Sequence, residues 1–151
     1  NSLITISEYF LSGAKIVPII ASTNNIEKIN KLARVIVNLA KVEGKKIMPI
    51  ASSDFTHFGK MYNFTPFKDD IKKNLYGLDK KAIELITELK TQEFLKYSEK
   101  TTICGAGAIA LCMEICKQLT AKKGKLLKYY TSGDITEDYN NAVGYASMSI
   151  F

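Results

Sequence analysis

Two short aliphatic runs, AKIVPIIAS at residues 14–22 and KIMPIASS at 46–53, bracket a segment with a different rhythm. The first is rich in isoleucine and valine, preceded by Gly13 and followed by polar STNN, as a buried strand would be. Between the runs, residues 26–42 place Ile29, Leu32, Ala33, Ile36, Leu39 and Ala40 on one helical face, with Lys28, Lys31, Asn38 and Lys41 largely elsewhere. Gly44 is the natural terminator of that helix. The order strand, helix, strand predicts a parallel βαβ crossover, hence an α/β fold with a mostly parallel sheet flanked by helices.

The rhythm then breaks. From Asp54 to Tyr76 the aromatic residues Phe55, Phe58, Tyr62, Phe64 and Phe67 surround Gly59 and Pro66 with neither helical nor alternating period, which predicts a long loop of the kind that often carries function. Periodicity resumes at 78–90, a helix with Asp79 as its expected N-cap. A short helix over 91–97 follows, and 103–124 reads as a glycine-bearing turn into an apolar helix closed by lysines and Gly124. KLLKYYTSG and AVGYASMSIF read as two final strands joined by DITEDYNN.

Length and composition narrow this picture. With 151 residues, 46% of them hydrophobic, the chain is long enough for one core and too short to favour two, so residues 1–151 are read as a single domain. The net charge of +6 comes from lysines spread singly or in pairs, without a run interleaved with aromatics, which argues against nucleic acid as a partner. Three cysteines, an odd number without dense spacing, favour a reducing compartment, and the cytoplasm is the expected location. No segment reaches the roughly 18 apolar residues of a membrane span, and NSLITISEYF lacks the features of a signal peptide.

Candidate chemistry centres on residues 51–60, ASSDFTHFGK, which hold the single histidine of the chain. Asp54 and His57 lie just beyond an expected strand's carboxyl end, where open α/β sheets place ligands. A carboxylate beside an imidazole can fix its tautomer or share a metal with it. The D-x-x-H spacing alone is weak evidence, and taken by itself it favours a hydrogen-bonded loop histidine beside a capping aspartate. Cys104 precedes Gly105 and Gly107 at a helix entry, where the dipole favours a thiolate, although free cysteines are also common core residues. Cys112 and Cys116, four apart on the same helix, read as core. GAGAI matches neither phosphate-loop fingerprint. Asp134, Glu137 and Asp138 lack the ligand alternation of a calcium hand and read as solvated turn acids, and Tyr129, Tyr130 and Tyr145 as half-buried strand residues.

Taken in order, these stretches resemble the Memo-like family, also described as the B protein of the AmmeMemoRadiSam set. SSDFTHFG at 52–59 is similar to that family's Ser-Ser-Asp-aromatic-x-His-aromatic stretch, and ICGAGAI at 103–109 to its Cys-Gly-x-x-x-Ile turn. YYTSGDIT at 129–136 with VGYAS at 143–147 resembles its closing TSGD and GYA pair, and GAKIVPII at 13–20 one of its strands. The resemblance implies a fold similar to class III extradiol dioxygenases, with a pocket of histidines, an aspartate and a cysteine that can hold iron or copper. Asp54, His57 and Cys104 match the pocket residues. It implies His57 as a metal ligand or proton-transfer residue, Cys104 as a soft metal ligand, and Asp54 as the group that orients them.

The chain also departs from the family pattern. Asn1 stands where a metal-site histidine is expected and Ile4 where a glutamate is, and the family's N-terminal portion, with a further pocket histidine, has no counterpart. The resemblance therefore implies the C-terminal part of a Memo-like domain, either completed by a companion chain or N-terminal half, or keeping the fold with a vestigial pocket. Two functional readings follow: metal-dependent redox chemistry if further ligands are supplied, or a scaffold that captures a small molecule or peptide without turnover. A catechol dioxygenase is disfavoured, because that chemistry wants two histidines and a carboxylate on iron.

Overall fold

The structure, a computed structural model, describes Tyr9 and residues 13–151; the positions of Asn1 and Ile4 lie outside these residues. Helix α1 spans Ile26–Val42, the range the periodicity predicts. Asn25 caps it, its side chain accepting from the Lys28 N–H at 3.0 Å. Gly44, at φ 60°, closes it with bonds from Gly44 N to Lys41 O and from Lys45 N to Ala40 O, the paired bonds of a Schellman end.

Next come strand β1, His57–Gly59, and a single 3-10 turn, Lys60–Tyr62. Helices α2, Ile71–Thr87, and α3, Thr91–Ser98, are followed by α4, Ala106–Gln118. The chain closes with β2, Gly124–Thr131, the short helix α5, Ser132–Thr136, and β3, Asn141–Ile150.

The sheet corrects the expectation of parallel strands. Among the described residues it has three strands in the order β1-β3-β2, and both pairings are antiparallel. Residues 14–22 and 46–53, expected as parallel strands, run without helix or strand structure and share no backbone hydrogen bond. Their aliphatic character was read correctly, but a strand exists only through its neighbour's backbone, and neither run has one here. The loop expected over 54–76 is shorter than predicted, because β1 pairs with β3 (His57 opposite Val143) and α2 begins at Ile71.

Helix α4 is the axis of the molecule. It is buried on nearly all sides, which explains why its sequence is apolar apart from Glu114, Lys117 and Gln118 rather than striped. On one side Ala110, Leu111 and Ile115 pack with Ile29, Ala33 and Val37 of α1. On the other, Ile109 and Met113 join Phe55, Ile83, Ile86 and Phe94 in the main core, against which Tyr129 and Met148 of the sheet pack. A third cluster joins Phe58, Leu75 and Ala142, with Phe67 stacked on Phe58 at 4.8 Å between ring centroids.

Candidate metal site

His57 opens β1, and three contacts to the 101–104 turn fix it. Thr102 Oγ1 accepts from the His57 N–H at 2.7 Å and donates to the His57 carbonyl at 2.8 Å. The Thr102 carbonyl lies 2.9 Å from Nδ1. A carbonyl can only accept, so Nδ1 carries a proton, and in the neutral ring Nε2 is the nitrogen available to a ligand. Tyr62 sets its ring edge-on to the imidazole, with 5.0 Å between centroids.

Nε2 faces Asp54, whose Oδ2 is 3.5 Å away. Asp54, His57 and Cys104 each offer a ligand atom, and these atoms all lie within 4.8 Å of one another. The structure thus brings together all three residues singled out from sequence. It also reassigns one role: Thr102 orients the imidazole through Nδ1, and Asp54 stands on the side of Nε2.

Two local devices hold the cysteine turn against the aspartate turn. Ser53 Oγ accepts from the Gly105 N–H at 2.9 Å and donates to the Asp54 carbonyl at 2.7 Å, with Cys104 Sγ 3.9 Å away. Gly105 must be glycine for this approach, since a Cβ there would sit 2.5 Å from Ser53 Cβ. Gly107 plays the same part toward residues 21–23, where a Cβ would meet the Thr23 carbonyl oxygen at 2.6 Å. The glycines that match no phosphate loop are there so that two chain segments can touch the start of α4.

Behind the site lies a carboxylate that sequence reading misplaced. Asp79 is not a helix cap; it is fully buried within α2. Its Oδ1 accepts from the Thr56 N–H at 3.1 Å and its Oδ2 from the Tyr129 hydroxyl at 2.7 Å. Burial pushes its pKa up against the pull of those bonds, and burial with the nearby Asp79 carboxylate pushes the Tyr129 hydroxyl up as well. Asp79 thereby ties the residue next to His57 to β2. Only the i, i+3 and i+4 periodicity of a helix starting at Ile71 could have placed it, and the lysines and asparagine at 72–74 obscured that start.

Asp134 corrects the expectation of a solvated acid. It accepts from Tyr76 and Tyr139 hydroxyls, each at 2.5 Å, and from the Thr131 N–H at 2.8 Å, and its Oδ1 is 2.8 Å from Lys72 Nζ. Burial alone would raise its pKa, but these donors prevail and hold it well below the usual carboxylate range. Tyr76 is pushed up to about 12 by burial and by that carboxylate. Glu137 and Asp138 are exposed, as expected.

All three cysteines are free thiols. Cys104 is exposed at the site, whereas Cys116 is buried and Cys112 is partly buried, its thiol pushed up by its neighbour Cys116 and by burial, as core residues would be. Tyr145 on β3 is pushed up by burial and then by the Asp54 carboxylate. Among the described residues no helix is long and apolar enough to cross a membrane.

With this geometry in view, the model of the Memo-like protein family matches residues 2–149. The chain belongs to the Memo-like family. A MEMO1 family protein of Nitrosopumilus maritimus is 35% identical over 136 residues, covering 89% of this chain and 45% of its own length. MEMO1 family proteins of Methanopyrus kandleri and Methanocaldococcus jannaschii are 32% and 35% identical, each over 136 residues that make up 44% of the relative. The chain therefore spans a little under half the length of these Memo-like relatives.

Proposed function

We propose that this Memo-like chain uses Asp54, His57 and Cys104 as a partial metal pocket for iron or copper. The observation that carries the reading is the grouping of Asp54, His57 and Cys104 donor atoms inside 4.8 Å, with Nδ1 of His57 engaged by the Thr102 carbonyl and Nε2 turned toward the carboxylate. For bonds of about 2.0–2.3 Å, donor atoms of a tetrahedral set lie ~3.3–3.8 Å apart. The 3.5 Å between Nε2 and Oδ2 falls in that range. That pair suits a shared metal, Cys104 Sγ lies no farther than 4.8 Å from it and would close in on binding, and an imidazole with a thiolate suits copper or iron better than a hard cation.

Each residue has a role in this proposal. His57 binds through Nε2, Cys104 supplies the soft donor, Asp54 supplies an oxygen, and Thr102 holds the ring in the tautomer that binding requires. Three protein donors leave open positions for a substrate or further ligands. A bound iron or copper would supply one-electron redox chemistry there.

The test is metal retention after anaerobic loading. Protein loaded separately with Fe(II) and Cu(I), then desalted, should retain about one equivalent of one of them. His57→Ala and Cys104→Ser should each weaken that retention by 10-fold or more. Equal retention by wild type and both variants would sink the proposal and favour the scaffold reading, in which the same pocket captures a ligand without a metal.

A further inference from the structure

A cleft of about 430 Å³ opens between α2 and β2, and none of the residues lining it is a proposed metal donor. From α2 come Lys73, Tyr76, Gly77, Lys80 and Ile83, whose spacing of three and four residues puts them on one helical face. From β2 come Leu126 and Tyr129. Residues three apart in a regular strand point to opposite faces, but the pairing with β3 steps from Leu126–Met148 to Lys128–Ser147, and this bulge at Leu127 returns both side chains to the α2 side. Gly77 completes the cleft. Glycine in mid-helix is weaker than alanine, and no packing asks for one here: a Cβ at Gly77 would meet nothing within 4 Å, unlike those at Gly105 and Gly107. Its missing side chain leaves the cleft open along the helix.

The polar groups of the lining are unevenly committed. Tyr76 donates its hydroxyl to Asp134 at 2.5 Å and Tyr129 donates to Asp79 at 2.7 Å, so both phenol protons are taken inside the protein. What the two tyrosines give the cleft is ring surface, set edge to face with 4.9 Å between centroids. The ammonium groups of Lys73 and Lys80 are different. Of the four lysines on α2, Lys72 lies 2.8 Å from Asp134 and Lys81 lies 3.8 Å from Glu84. Among the described residues Lys73 and Lys80 have no carboxylate partner, and no acid lines the cleft. Two uncompensated cations on exposed stems thus border an apolar, aromatic wall.

We propose that this cleft binds a planar aromatic carboxylate, its ring against Tyr76, Tyr129 and Leu126 beside Gly77 and its carboxylate between Lys73 and Lys80. Charge complementarity selects the anion, because a cation would meet two ammonium groups and no acid. The aromatic wall selects the body, because a bare anion would leave the apolar surface in water. The volume lies in the range of small-molecule sites, ~300–1,000 Å³. Either this cleft or the metal site can fail its test without the other, since they share no residue.

The experiment titrates naphthoate into the full chain and follows backbone amide shifts by NMR. Shifts should concentrate at residues 73–83 and 126–129 and saturate with a Kd on the order of 1 mM or below. Naphthalenemethanol, which keeps the ring without the charge, should bind at least tenfold more weakly, and so should naphthoate to Lys73→Glu with Lys80→Glu. Lys28→Glu with Lys31→Glu, exposed lysines on α1, should leave the affinity unchanged. Gly77→Leu fills the cleft from the helix and should abolish the saturable shifts while the rest of the amide spectrum is retained. Shifts that do not saturate, or that cluster at residues 14–20 and 46–50 instead, overturn the proposal. So does equal binding of the neutral alcohol, an affinity that survives both the lysine and the glycine substitutions, or one that falls equally in the α1 variant.

Discussion

At the scale of single residues, the site depends on a threonine more than on its own acid. Thr102 makes every hydrogen bond that fixes His57, and its carbonyl determines which ring nitrogen is free. Thr102→Val removes both hydroxyl bonds, and metal affinity measured by competition with a chromophoric chelator should fall roughly tenfold or more, with Thr102→Ser restoring most of it. An unchanged affinity in the valine variant would mean that the turn carries His57 without the hydroxyl. Gly105 makes a second residue-scale prediction. Gly105→Ala must push Ser53 away from the start of α4, so both the thermal midpoint and the metal affinity should drop, whereas Gly77→Ala, with open space around its Cβ, should leave both nearly unchanged.

At the scale of elements, two carboxylates join helices to the sheet. Asp79 connects α2 to Thr56 and to β2 through Tyr129, so Asp79→Ala orphans two donors and should cost roughly 2–4 kcal/mol in denaturant unfolding. Asp134 connects α5 to α2, and its depressed pKa gives the sign of a pH effect. Its contribution is fully present above the ordinary aspartate value and is lost as pH falls below that value toward the lower one of the folded state. Asp134→Asn should therefore lower stability at neutral pH and flatten the acid limb of the stability profile, read as the thermal midpoint between about pH 5 and pH 2.

Elements whose signal is internal were legible in the sequence. Gly44 marked the end of helix α1, while its Asn25 cap was read only as part of the polar STNN, and the expected helices over 91–97 and 103–124 have their counterparts in α3 and α4. The start of α2 was hidden because its first turn is polar, and that error turned Asp79 into a cap. The two final strands were legible and are β2 and β3, but the parallel part of the sheet was misread because an aliphatic run specifies a strand without naming its partner, and β1 is only three residues long. The residues proposed as donors were visible by their type, while Thr102 and Ser53 were not, since a hydroxyl's partners 45 and 52 residues away leave no mark on local pattern.

At the scale of the whole molecule, a helical layer built around α4 is complete on the side of the antiparallel sheet and bare on the side of residues 14–20 and 46–50. Such a surface should bind a hydrophobic dye in the isolated chain, and Val17→Asp with Ile20→Asp should reduce that signal. The proposed metal site lies where residues 53–54, β1 and the start of α4 meet, so occupancy should also stabilise the fold by linkage, with a thermal midpoint that rises with free metal in wild type and not in His57→Ala. The most direct test of the site is X-ray absorption at the metal edge of copper-loaded protein. The account predicts one sulfur scatterer together with nitrogen or oxygen scatterers in the wild type, with the sulfur shell absent in Cys104→Ser. A wild-type spectrum without sulfur, or one that Cys104→Ser leaves unchanged, would contradict it.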